Sequence, residues 1–223
     1  MKYENDKFII YYDVNDKNIK YLINALETKA NKIMKFFGLE NLSKKMIVKI
    51  YYSVDDYKSH LVPCLEENGK TYYEWMIADT YDDNINMLEL SLCQGLDSHQ
   101  YDMIEDYMGY ILHEFVHICH HELLGENNSH GHTWFSEALA TNVSGQDYSG
   151  NIINCTYNEL KDDFNSASNN YPTAYLMGKF MLDHYGRDFV LNLIKNWQLL
   201  DDFGPRLFEE TKLYYNQIEP LKK

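Results

Sequence analysis

The chain has 223 residues, 45% of them hydrophobic, which is enough to bury a sizeable core in one domain or two closely packed subdomains and sets disorder aside. Its 20 Lys+Arg against 34 Asp+Glu give a net charge of −14, a surface that repels phosphate backbones and anionic lipid. Nucleic acid and membrane are therefore not expected as partners, and the acidity reads first as a means of staying soluble.

Residues Lys7 to Tyr12 form a short apolar and aromatic run suited to a strand. Ile19, Leu22, Ile23, Leu26, Ala30, Ile33 and Phe37 then recur at helical spacing, and Gly38 is placed to end that helix. A second strand is expected over Met46 to Ser53, so the strand-helix-strand order predicts a small sheet with a helix packed on one face. Thr71 to Leu92 reads as a hairpin or strand pair about the acidic turn Asp82-Asp83-Asn84. Beyond Gln94 the period turns helical, with helices expected at Asp102 to Leu124, Trp134 to Ser144, Pro172 to Tyr185 and Arg187 to Leu200. The fold class is thus α+β: a small N-terminal mixed sheet leading into a helical C-terminal half, read as one domain with approximate subdomains 1–124 and 125–223.

Cys64, Cys93, Cys119 and Cys155 are far apart and form no Cys-x-x-Cys pair, so reduced thiols are the simpler reading. No basic-then-apolar signal segment opens the sequence, and no apolar run approaches the roughly 18 to 20 residues of a membrane span. A cytoplasmic location is the expectation.

Ile104, Tyr107, Met108, Ile111, Leu112, Phe115, Val116 and Cys119 make an apolar stripe that places the segment around His113 on a core-packed amphipathic helix. Residues four apart on a helix lie one above the other, so His113 and His117 leave the same face and their imidazoles can share one metal ion. Glu114, about 100° round the helix, is placed to reach a metal-bound water rather than the metal. Catalytic zinc sites use three protein ligands and leave a fourth position open, so one ligand must come from elsewhere. Glu137, twenty residues past His117, lies in Trp134-Phe135-Ser136-Glu137-Ala138-Leu139-Ala140, a helix that Thr133 can cap and Gly145 can end.

His-Glu-x-x-His followed by Trp-Phe-x-Glu-Ala-x-Ala resembles the gluzincin zinc metallopeptidases, including the aminopeptidase N-type and thermolysin-like families, over roughly residues 105 to 200. The resemblance implies a thermolysin-like zincin architecture, one Zn2+ per chain bound by His113, His117 and Glu137, and hydrolysis of a peptide or protein substrate by a metal-activated water. Glu114 is then the general base. The metzincin pattern would require Gly and His three and six residues after the second ligand, where this sequence has His120 and Leu123. The Gly-x-Met-Glu-Asn segment that holds a substrate amino terminus in aminopeptidases is missing upstream of His113, which favours an endopeptidase. Aminopeptidase N-type enzymes carry a transition-state tyrosine at the start of a comparable downstream helix, and here Tyr171, just before Pro172, and Tyr175 compete for that role.

Thr141 and Asn142, or Asp106 and Tyr110 earlier on the metal helix, are candidates for orienting an imidazole. His120, His121, His130 and His132 crowd the region after the motif, each an accessory ligand, a substrate contact or a locally hydrogen-bonded histidine, and His184 is read as structural at a helix end. Tyr72, Tyr73 and Trp75 could line a cleft as a strand opposite the metal or belong to the sheet core, and Asp79 to Asp83 reads as a turn rather than a calcium loop. A zinc-binding module of the same scaffold without turnover is the rival reading. Retention of Glu114 argues against it, since a structural metal has no use for that carboxylate.

Overall fold

A computed structural model describes residues 1–67, 69–81, 83–125 and 131–218, with side chains to 216. The chain divides into two compact units, Met1–Cys119 and His120–Lys223.

Among its described residues the first unit contains five strands, β1 (Lys2–Glu4), β2 (Phe8–Tyr11), β3 (Met46–Tyr51), β4 (Ala78–Tyr81) and β5 (Asn84–Leu88), and the helices α1 (Ile19–Phe37), α2 (Val54–Glu67) and α3 (Leu90–Cys93). The strands form one mixed sheet in the order β1-β2-β3-β5-β4, with β2, β3 and β5 parallel and the outer two strands antiparallel to their neighbours. Parallel neighbours need a long crossover. The 19-residue α1 makes it between β2 and β3, burying Leu22, Leu26, Ile33 and Phe37 along one row. Its end at Gly38, with φ 74°, is where the sequence placed it, because the left-handed conformation that caps a helix suits a residue without Cβ. On the sheet, Ile10, Val48 and Ile85 pair in register and are each fully buried.

Three features of this unit differ from the sequence expectation. The strand pair occupies only 78–81 and 84–88, and Tyr72, Tyr73 and Trp75 lie in an irregular half-buried segment before it, so they form neither an upper strand nor sheet core. Asp83 takes φ 56° beside the β4–β5 connection, while Asp82 lies outside the described residues. Helix α2 was not anticipated: it buries only Tyr57 and Leu61 and carries Pro63 internally, so it has no apolar stripe to reveal its period.

The helix α4 (Ile104–Leu124) is continuous across the boundary between the units. It is buried nearly all round from Ile111 to His120, not on one stripe, and this burial includes His113 and Glu114. The second unit holds α5 (Thr133–Ser144), α6 (Tyr157–Asp162), a 3-10 turn at Phe164–Ser166, α7 (Asn170–His184), α8 (Gly186–Lys195) and α9 (Leu199–Ile218). The expected helix from Arg187 to Leu200 is in fact two: α8 stops at Lys195, and α9 runs twenty residues through Gly204 and Pro205, a step that disfavours a helix interior. Among the described residues no helix is long and apolar enough to cross a membrane.

Candidate metal centre

His113 and His117 sit one turn apart on α4 with their Nε2 atoms 3.2 Å from each other and their ring planes at 73°. Two nitrogens each about 2.0–2.1 Å from one ion at a tetrahedral angle stand about 3.3 Å apart, so the pair is already spaced for a shared metal. His113, His117 and Glu137 form a group that could hold a metal ion, one ligand atom from each lying within 4.8 Å of the others. Two imidazole nitrogens and a carboxylate oxygen are the donor set of an open catalytic zinc site. His113 is 7% exposed and Glu114 9%. Charged or metal-binding groups are rarely buried so far without a partner.

Glu137 is carried by α5, whose burial of Trp134, Phe135, Ala138 and Leu139 agrees with the apolar stripe expected of it. The cap differs by one residue: His132 is the N-cap, its side chain makes no capping hydrogen bond, and Thr133 already belongs to the helix. Gly145 ends it in the left-handed conformation, as expected. Helix α7 approaches α5 closely at Gly178, where a Cβ would stand 2.4 Å from Asn142 Nδ2 and 2.7 Å from the Ala138 carbonyl oxygen. Asn142 fastens the crossing by donating to the carbonyls of Ala138 (2.8 Å) and Tyr175 (2.9 Å).

The Thr141 hydroxyl donates to the Glu137 carbonyl at 2.7 Å and the Asn142 amide to backbone, so the donors of both serve helix carbonyls. Asp106 accepts from the Met103 backbone N–H at 2.8 Å just before α4. Tyr110 donates to Asp102 Oδ2 at 2.9 Å, and the same carboxylate oxygen meets His99 Nδ1 at 2.8 Å. His99 Nε2 faces the Trp75 carbonyl at 3.0 Å, tying the segment before β4 to the approach to α4.

Of the histidines after the motif, His120 is buried beside Phe135, with Nδ1 3.5 Å from Ser136 Oγ. His132 pairs with Asp201 at 3.1 Å and stacks near Trp134, His121 is half-buried, and His130 lies outside the described residues. His184 is in the last turn of α7 against Phe180 and Tyr214, which fits a structural role.

The two candidate tyrosines are placed differently. Tyr175 is 8% exposed and donates to Asp147 Oδ1 at 3.1 Å. Burial, reinforced by that carboxylate, pushes its hydroxyl up to about 12, while the Ser149 and Tyr175 hydrogen bonds hold Asp147 below its usual range. Tyr171 is half-buried in the first turn of α7, its ring edge-on to Phe164 at 5.2 Å.

One contact was not visible in sequence. Thr80 on β4 donates its hydroxyl to Glu114 Oε2 at 2.7 Å. The hairpin pattern located β4 but not which face of it meets α4. Comparison with known proteins finds no family model that matches the chain and no curated protein that matches it.

Proposed function

We propose that the chain is a zinc-dependent peptidase of gluzincin type, with a thermolysin-like architecture and endopeptidase action. The observation that carries the reading is the convergence of His113, His117 and Glu137 into one donor set beside a buried Glu114. A structural zinc closes its coordination with four protein ligands, whereas three leave a position for chemistry. The residues fit zinc, which when bound supplies a Lewis acid that acidifies water and polarises a carbonyl.

The chain's own side chains do the rest. Glu114 takes a proton from the attacking water onto its carboxylate as the water oxygen bonds to the scissile carbonyl carbon. It then gives that proton to the amide nitrogen as the C–N bond breaks, leaving a carboxylic acid and an amine. Tyr171 donates its neutral O–H to the carbonyl oxygen while negative charge develops there, adding no charge of its own. Tyr175, whose hydroxyl is engaged with Asp147, is the weaker candidate.

Glu114→Gln tests the assignment directly, because the amide keeps the shape and cannot accept the proton. On a library of unblocked and end-blocked peptides, wild type should cleave internal bonds, and the variant should lose at least about 10²–10⁴-fold in kcat with zinc content unchanged. A Gln variant as active as wild type would remove Glu114 from the role of base.

A further inference from the structure

We propose that Thr80 is a positioning residue for the Glu114 carboxylate, an inference that rests on the peptidase reading above. Thr80 lies on β4, the last strand in the sheet order and paired with β5, where it stands opposite Ile85 while Asp79 stands opposite Asn86. Successive side chains of a strand leave opposite faces, so Asp79 and Thr80 serve two different sides of the sheet.

On one side Asp79 is held firmly. Its Oδ1 accepts from Asn86 Nδ2 at 3.0 Å, and His60 Nε2 from α2 lies 3.7 Å from the same oxygen. Asn86 is 1% exposed, so its amide needs this partner. A slip of one residue in the β4–β5 register that set Ala78 against Asn86 would bring Asp79 opposite Ile85, where Thr80 stands, placing a second carboxylate beside Glu114. The Asp79–Asn86 pair therefore fixes which residue of β4 faces α4.

On the other side, Thr80 Oγ1 lies 2.7 Å from Glu114 Oε2 and 3.3 Å from the Glu114 carbonyl oxygen. Its one proton goes to the nearer and charged acceptor, where a hydroxyl–carboxylate bond is strongest. A β-branched side chain on a strand has few rotamers, so the direction of this donor is set by the backbone. A hydroxyl also orients the carboxylate without cancelling its charge, as a Lys or Arg in the same place would. Glu114 has three side-chain torsions, and a base misplaced by about 1 Å can lose up to about 100-fold in rate.

Thr80→Val, nearly the same shape without the donor, and Thr80→Ser, which restores it, test this in the full-length zinc-loaded protein. Thr80→Val should lower kcat by about 10-fold to 100-fold with KM within about two-fold, and Thr80→Ser should recover to within a few-fold of wild type. Zinc stoichiometry should be unchanged in both. Independently of activity, thermal unfolding of metal-stripped wild type, Thr80→Val, Glu114→Ala and the double variant should be non-additive by about 2–4 °C, the contact being lost only once. Full activity in Thr80→Val, a loss confined to KM, a Ser variant as impaired as Val, or additive melting shifts would each overturn the proposal. If wild type cleaved no peptide, the peptidase reading would fall while the melting cycle still decided the contact: non-additive shifts would sustain Thr80 as the residue that holds Glu114, and additive shifts would remove it.

Discussion

In the sheet-bearing unit, polar groups near α4 are joined across long stretches of sequence: Thr80 reaches Glu114, Tyr107 donates to the Leu88 carbonyl at 2.9 Å, and His99 links Trp75 to Asp102. In the helical unit, Thr141 and Ser144 donate to carbonyls of their own helix, and Asn142 also reaches another helix, at the Tyr175 carbonyl. Long-range pairing aims a side chain, because strand and helix must both be in place for it to form. Local pairing only completes a helix that packing already specifies. On the proposed function, the sheet-bearing unit orients Glu114, and the helical unit carries Glu137 and Tyr171.

The hardest test of that division falls on Tyr171, the donor proposed in the helical unit. Tyr171→Phe should lower kcat by about 10²–10³-fold with KM and zinc content nearly unchanged, as for loss of one oxyanion donor. Tyr175→Phe should instead cost stability, about 0.5–1.5 kcal/mol in denaturant unfolding, through its lost bond to Asp147. The reverse pattern, with turnover lost at Tyr175 alone, would exchange the two roles.

The rigidity of the helical frame can be attacked at Gly178. Gly178→Ala would drive a methyl group against Asn142 and the Ala138 carbonyl, and should destabilise the protein by about 1–3 kcal/mol, read as a lower denaturant midpoint. No change in midpoint would mean that the α5–α7 crossing yields easily.

A smaller effect sharpens the other side of the comparison. Tyr57 is fully buried, and burial, together with the Asp79 and Glu114 carboxylates, holds its hydroxyl well above its ordinary range. The folded protein keeps this proton at a pH where the unfolded chain, near the usual tyrosine value of about 10, releases it. Stability must then fall as pH rises above about 10. Tyr57→Phe should change stability at neutral pH by less than about 1 kcal/mol and make the alkaline decline shallower by about 1.4 kcal/mol per pH unit. An unchanged slope would show that Tyr57 ionises as easily in the folded state.

The same contrast explains what could be read in advance. His113, Glu114 and His117 belong to one turn of one helix, so periodicity alone places them together, and the stripe of Trp134, Phe135, Ala138 and Leu139 does the same for the helix that carries Glu137. Helix α1 and its Gly38 cap were legible for the same reason. Thr80 was not, because its role depends on the β4–β5 register, which is set by Asn86 and Asp79 and leaves no periodic trace. Helices α2 and α9 were missed where a sparse apolar row or an internal Gly-Pro step hid helices that tertiary packing sustains.

Metal content tests the central claim most directly. Protein purified without chelator, then stripped and titrated with zinc near neutral pH, should bind close to one zinc per chain. His113→Ala or His117→Ala should abolish tight binding, and Glu137→Ala should weaken it while the fold is kept. A wild-type protein that neither carries zinc nor takes it up, or ligand variants that bind it as tightly as wild type, would contradict the account.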